Sequence, residues 1–461
     1  MYHISARKQR MIDKRKGKFV HNAVAPKSFL KTDCCMPMRI QLFLCSYAKK
    51  EKGADFMTKW KVLSVLMAVC LLLSACGNTV ASSGQESSAV EEVSSSAAIL
   101  PGELVETYVP EYAKGFSIEY YEGGAKIIDT HIEATASTAA AAQRILLLPD
   151  GAAEPLEAKW DAKIEGPVTS VVTLASSHAG HFANLDAVDV VKGCSIKPES
   201  CYVDSLKNAL ENGSAVYVGT SSSLDQELIA SLAPQVIFVG GMSSDVEVAQ
   251  KLEESGLLCV YFGDFAEEDY MGRAQWIELI GAFVDKDQQA RDFIRDNKTQ
   301  VDEVLAKVES AEEHPAVLWY THSSSAPHFN VRTDKDYVNS IVSAVGGQLL
   351  FPAESEGNSV KLSNEDFLLL MNEADKIILG VSLNSYKEAK DMTYFNKEDQ
   401  VDFSTTPAFA SRDCYVVGYD WAQDTANAAE IIRSMAACLY PDLFSDVPDS
   451  DKDKIIAFWV E

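Results

Sequence analysis

From Val168 onward, short unbroken apolar runs alternate with helical patterns. "VTSVVTL", "QVIFVGG" and "LLCVYFG" are β-branched and apolar at nearly every position. Strands apolar on both faces survive only inside a sheet covered on both sides, which means a parallel sheet built from crossover units. Between those runs lie the helical stretch "HAGHFANL", a helix at Leu224–Leu232 and another around Val246–Ser255, with "VDVVKG" and "AVYVG" as further strands. One stretch breaks the rhythm. Residues 285–310 form a single long helix with Ala290, Phe293, Ile294, Val301, Val304, Leu305 and Val308 along one face. The alternation then resumes with "PAVLWYTH", helices at 337–344 and 364–372, "KIILGV", "CYVVGY" and a last helix at 425–439. The expected fold is α/β: two lobes joined by one long helix.

Upstream of the lobes, "GFSIEYYEGGAKIIDTHI" reads as a hairpin about Gly123-Gly124, and Arg144–Leu148 as a further strand. The resulting plan is a small N-terminal β extension over 108–165, an N-terminal lobe over 166–284 and a connecting helix over 285–310. A C-terminal lobe over 311–446 and a tail over 447–461 complete it. Paired α/β lobes bind ligands in the cleft outside the carboxyl ends of their strands.

The N-terminus carries processing information. "MTKWKVLSVLMAVCLLLSAC" has Lys59 and Lys61 at a positive end, an apolar stretch at Val62–Leu73, and small residues Ser74-Ala75 before Cys76. Residues 57–75 therefore read as a signal peptide, too short in its apolar part for a comfortable transmembrane helix of roughly 20 residues. Leu73-Ser74-Ala75-Cys76 resembles a bacterial lipobox, which implies lipidation of Cys76; the plain alternative is a buried cysteine in a short hydrophobic helix. Residues 1–56 are basic, lack periodicity and precede Met57, the more natural start, so they read as an over-extended N-terminus. Residues 76–107 are Ser- and Glu-rich at first and read as a flexible tether.

Charge narrows the partners. The chain has 461 residues and a formal charge of −26, yet residues 1–75 hold fifteen Lys and Arg against four Asp and Glu. The body is thus more acidic than the whole, which disfavours nucleic acid. Past Cys76, the five scattered cysteines Cys194, Cys201, Cys259, Cys414 and Cys438 do not make a disulfide framework, although Cys194 and Cys201 stand close enough in sequence to pair. The sequence holds no Gly-x-Ser-x-Gly elbow, His-Glu-x-x-His motif or P-loop. A hydrolase using paired carboxylates is the alternative left open, and a binding protein, not an enzyme, is the expectation.

"SVVTLASSHAGHFANLDAVDVVKG" and "SLDQELIASLAPQVIFVGG" resemble, in that order and at that separation, the signatures of class III substrate-binding proteins of ABC importers. "YAKGFSIEYYEGG" and "MGRAQWIELIGAF" resemble segments of its iron-complex subgroup. The resemblance runs from about Val168 to Phe444. It implies two Rossmann-like lobes with central parallel sheets, a stiff connecting helix, and a monomer with no intrinsic cofactor. Its partners would be an ABC permease with its ATPase, and its place the extracytoplasmic face of the membrane, or the periplasm where an outer membrane exists. The transported ligand would be a ferric siderophore or other iron chelate, with haem or cobalamin as alternatives.

The resemblance also implies roles for residues. One glutamate per lobe docks on the permease, here Glu227 and Glu365; the plain alternative is acidic side chains favoured at helix starts. Ser176, Ser177 and His178 lie between a strand end and a helix start, where an anionic or acceptor group of a ligand is favoured. His181, one turn on, is a weaker candidate, and two histidines leave a metal site incomplete. In the C-lobe, Arg332 is the candidate for a carboxylate or catecholate oxygen, and Tyr337 is either a ligand contact or the first core residue of its helix. Trp421, in a loop, is a candidate stacking surface. For haem, His178, His322 and His328 are possible axial ligands.

Overall fold

The structure is a computed structural model that describes residues 102–134, 138–322, 329–381, 403–418, 421–445 and 456–458. The chain divides into two compact units, Met1–Ser94 and Ser95–Glu461, and every described residue belongs to the second. Cys76, the signal segment 57–75, residues 1–56, most of the tether, His328 and most of the tail lie outside the described residues.

The N-terminal extension is a five-stranded sheet in chain order: β1 (Leu104–Tyr108), β2 (Phe116–Tyr121), β3 (Lys126–Ile132), β4 (Ala141–Leu148) and β5 (Ala162–Glu165). Gly123 and Gly124 both take positive φ, 90° and 86°, so the β2–β3 turn uses the backbone region glycine alone enters freely. The sheet starts earlier and holds more strands than the sequence indicates, because β1 and β5 are short and carry little apolar periodicity. An ion-pair cluster staples it to the start of the connecting helix: Lys126 Nζ lies 3.0 Å from Asp285 and 2.7 Å from Asp287. A Cβ at Gly115 would sit 2.5 Å from the Trp276 ring, so this loop packs against that indole by having no side chain.

The N-lobe sheet comprises β6 (Val171–Thr173), β7 (Val191–Cys194), β8 (Val216–Tyr217), β9 (Val236–Val239) and β10 (Cys259–Tyr261), in the order β10-β9-β6-β7-β8. Every pairing is parallel, as the two-sided apolar strands require. Its helices are α1 (His178–Asn184), α2 (Asp204–Asn212), α3 (Gln226–Leu232), α4 (Ser243–Glu254), α5 (Tyr270–Gln275) and α6 (Ile277–Phe283).

The connecting helix, α7 (Asp287–Val308), buries Ala290, Ile294, Asn297, Val301, Val304 and Val308. These positions step by four and three residues, which keeps them on one stripe. The C-lobe contains β11 (Ala316–His322), β12 (Phe329–Arg332), α8 (Tyr337–Ala344), β13 (Gln348–Leu349), β14 (Ser359–Leu362), α9 (Asn364–Met371), β15 (Lys376–Val381), α10 (Pro407–Ala410), β16 (Cys414–Gly418), α11 (Ala428–Leu439) and β17 (Ile456–Phe458). Its sheet runs β14-β12-β11-β15-β16-β17, with β13 beside β11. The centre is parallel, as expected, but β12 and β17 run antiparallel to it, and β14 pairs antiparallel with β12. The reason at β12 is chain length: the few residues between β11 and β12 are too short for a parallel crossover, which needs a dozen or more.

One apolar core crosses from lobe to lobe, taking in Phe238 and Trp276, then Val301 and Val304, then Ile341 and Ile432. Asn297, buried in its middle, is satisfied by accepting the Ala429 N–H at 2.9 Å and donating to the Phe293 carbonyl at 3.1 Å.

Candidate functional site

The carboxyl ends of β6, β9 and β10 open onto loops carrying Ser176-Ser177, Gly240–Met242 and Asp264–Glu268. Opposite them stand Arg332, the N-terminus of α8 at Tyr337, the turn Glu356–Asn358, and Trp421. Together they enclose a cavity of about 560 Å³ between the lobes. A larger hollow of about 900 Å³ lies under the C-lobe among Pro315, Lys376, Asp413 and Pro441. It sits at the amino ends of β15 and β16 and involves one lobe, whereas ligands of open α/β sheets lie at carboxyl ends. The interlobe cavity is therefore the candidate site.

An aromatic–cationic stack forms part of its wall. Trp421 and Tyr337 lie nearly parallel, centroids 5.3 Å apart, and Trp319 tilts against Trp421 at 5.3 Å. The Arg273 guanidinium sits 3.4 Å from the Tyr337 ring centroid, a cation–π contact. Arg273 also donates from Nη2 to the Phe265 carbonyl at 2.9 Å and from Nε to the Glu267 carbonyl at 3.2 Å. Burial pushes the Tyr337 hydroxyl well above the ordinary tyrosine range.

Carboxylates dominate the remainder. Asp245 accepts from Ser221 Oγ at 3.1 Å and the Met242 N–H at 3.2 Å, and burial raises its pKa. Glu267 Oε1 accepts from the Lys114 and Gly115 N–H groups at 2.7 and 3.2 Å and from Trp276 Nε1 at 3.1 Å. The N-terminal extension is therefore hydrogen-bonded to the cavity wall. Asp264 differs: it is 1% exposed, and among the described residues neither carboxylate oxygen has a hydrogen-bond partner.

The β6–α1 corner, the parallel N-lobe sheet and the long α7 coincide with a match to the periplasmic binding protein family over residues 171–414. The chain belongs to that family. Its members are binding proteins, not enzymes. Two uncharacterized lipoproteins of Methanocaldococcus jannaschii are similar to this binding protein. One is 26% identical over 248 residues, 53% of this chain and 62% of its own length; the other is 23% identical over 358 residues, 73% of this chain and 83% of its own. The chain thus spans under two thirds of the first relative. Among solved structures, an ABC transporter substrate-binding protein from Listeria monocytogenes EGD-e aligns with a TM-score of 0.46 and 17% identity, covering 59% of this chain and 99% of that one.

The structure brings Ser176, Ser177, Arg332, Tyr337 and Trp421 onto this one cavity. It moves His178 away from it. The His178 ring is fully buried, with its centroid 4.6 Å from that of Phe262 and 6.4 Å from that of Phe238, so it is a core residue and not a wall residue. Desolvation pushes its pKa down to about 4, against the charge of Asp264. α1 is only seven residues long and its first residue faces the core, which is why its place at a helix start does not bring it to the ligand. His181 is buried too, with Nδ1 2.9 Å from the Ser177 carbonyl oxygen and Nε2 3.3 Å from that of Arg273. His322 packs against Tyr320 and Phe329 at the end of β11.

Trp421 also departs from expectation. It is 8% exposed and packed against two aromatic rings, leaving little face for a flat ligand. Arg332 has an internal partner, Asp336, 3.0 Å from Nη1. Glu227 and Glu365 are exposed in the first turns of α3 and α9, one on each lobe. Cys194 and Cys201 are free and buried, and burial pushes the Cys194 thiol up to about 11. Among the described residues no three His, Cys, Asp or Glu side chains form a metal-binding group, and no helix is long and apolar enough to cross a membrane.

Sequence reasoning missed Asp264, Arg273 and Asp245. The signal for Asp264 was present: "VYFGD" puts a carboxylate just past the end of an apolar strand, where ligands of such folds sit.

Proposed function

We propose that this protein captures an iron chelate, a ferric siderophore foremost, between its lobes and delivers it to an ABC permease from the extracytoplasmic face of the membrane, anchored by lipid on Cys76. The interlobe cavity carries the reading. At about 560 Å³ it falls within the range of small-molecule sites, and it combines an aromatic wall with a few polar groups. Membership of the periplasmic binding protein family supports a permease partner and a small-molecule ligand. The lipoprotein names of the two relatives support the anchor. Cobalamin or haem delivered by the same route is the second reading. No histidine stands on the described cavity wall, which weighs against haem held by histidine.

The test is a titration of the protein's tryptophan fluorescence with several ferric siderophores, cobalamin and haem. Saturable quenching by a ferric siderophore supports the proposal. Tight binding of haem or cobalamin instead replaces the ligand while keeping the transporter role; no binding of any sinks the chelate reading. For the anchor, Cys76→Ala should move the protein out of the membrane fraction, and unchanged fractionation refutes lipidation there.

A further inference from the structure

The charges around the cavity are unevenly committed. Among the described residues, three cations line it: Arg332 Nη1 faces Asp336 at 3.0 Å while its buried Nε has no partner, and Arg273 is held by two backbone carbonyls and the Tyr337 ring. Lys335 Nζ donates to the Ser355 and Glu356 carbonyls at 3.2 and 2.9 Å. The carboxylates outnumber them: Asp245, Asp264, Glu267, Glu268, Asp336 and Glu356 all line the same space. Asp245 and Glu267 receive donors from the protein, whereas the almost fully buried Asp264 receives none on either oxygen.

A buried carboxylate without a donor is costly to keep, and a molecule that brings a donor or positive charge removes that cost. His178, the titratable neighbour behind it, is held neutral by its own burial and supplies no compensating charge at neutral pH. From this geometry, and resting on the chelate-capture reading above, we infer that Asp264 is a specificity residue that selects chelates of positive or zero charge bearing N–H or ammonium donors. Polyanionic catecholate complexes are rejected. The described wall carries twice as many carboxylates as cations, and that acidic excess repels them.

Three ferric complexes of graded charge, titrated into the full chain in detergent, test this: monocationic ferrioxamine B, neutral ferrichrome and trianionic ferric enterobactin. The wild type should bind the monocation most tightly and the trianion least, and added salt should weaken the monocation alone. Asp264→Asn, checked for folding by its thermal melt, should weaken the monocation about tenfold to a hundredfold and leave the neutral complex within about threefold. Tightest binding of the trianion overturns the inference but leaves chelate capture standing. Unchanged affinity of the monocation in folded Asp264→Asn also overturns it. If the variant does not fold, the charge order and salt response of the wild type decide. Failure of all three to bind removes the chelate reading and this inference together.

Discussion

His178 shows how far a residue's role depends on which way its helix turns. The pattern Ser-Ser-His after a strand placed it at a ligand, and the fold instead turned the ring among Phe238 and Phe262. The consequence is measurable. Its folded pKa of about 4 lies below the ordinary value of 6.5, so the unfolded chain takes up the proton first as pH falls. The stabilisation from neutral His178 is complete above pH 6.5, declines below it, and is exhausted near pH 4, a loss of about 3 kcal/mol. Denaturant unfolding of His178→Leu across that window should show a shallower decline than the wild type; parallel curves would contradict a buried neutral imidazole. Ser176, Ser177 and Tyr337 were legible because strand ends and helix starts converge on the cleft. Arg273 was not, since it forms no motif in sequence; Asp264 had its strand-end position as a signal, but nothing in sequence showed its burial without a donor.

Among the elements, α1 and α7 hold the lobes in register. Gly180 in α1 packs directly on the loop before α11: an added Cβ would lie 2.6 Å from Asp424 Cα and 2.7 Å from the Gln423 carbonyl oxygen. Beside it Asn184 Nδ2 donates to Asp424 Oδ1 at 2.7 Å, and Gln423 bridges the Tyr202 N–H and the Ser200 carbonyl at 2.9 and 2.8 Å. Gly180→Ala gains helix propensity but must force backbone apart, so it should lower stability by about 1–3 kcal/mol in a thermal or urea melt. A melt at or above the wild-type value would mean that the lobe contact yields freely. The long α7 was readable from its apolar stripe, whereas its polar member Asn297 finds a reason only in the Ala429 N–H that it meets.

For the molecule as a whole, a continuous apolar core and the Asn184 and Gln423 hydrogen bonds between the lobes leave them little freedom to close. Ligand binding should therefore shift the radius of gyration in small-angle scattering by less than about 1 Å. A large compaction would reveal a hinge that the packing along α7 does not suggest. The exposed Glu227 and Glu365, one per lobe, offer a second measurement at this level. Reversing both charges to Lys should abolish chelate uptake by cells while leaving affinity in solution unchanged. Lost affinity would place them at the ligand instead of at the permease.

The strand–helix alternation of the two lobes, the parallel centre of each lobe's sheet and the single connecting helix were legible in the chain, because hydrophobic period and run length are local properties. The edges of the C-lobe sheet, the N-terminal sheet's union with Glu267, and the division of wall from core at Ser177 and His178 were not. Those depend on which face of a short element meets which neighbour, and on donors and acceptors brought together from distant positions. The unpartnered state of Asp264 is the clearest case: its position past a strand is visible in sequence, and only the packing around it shows that the described residues offer it no donor.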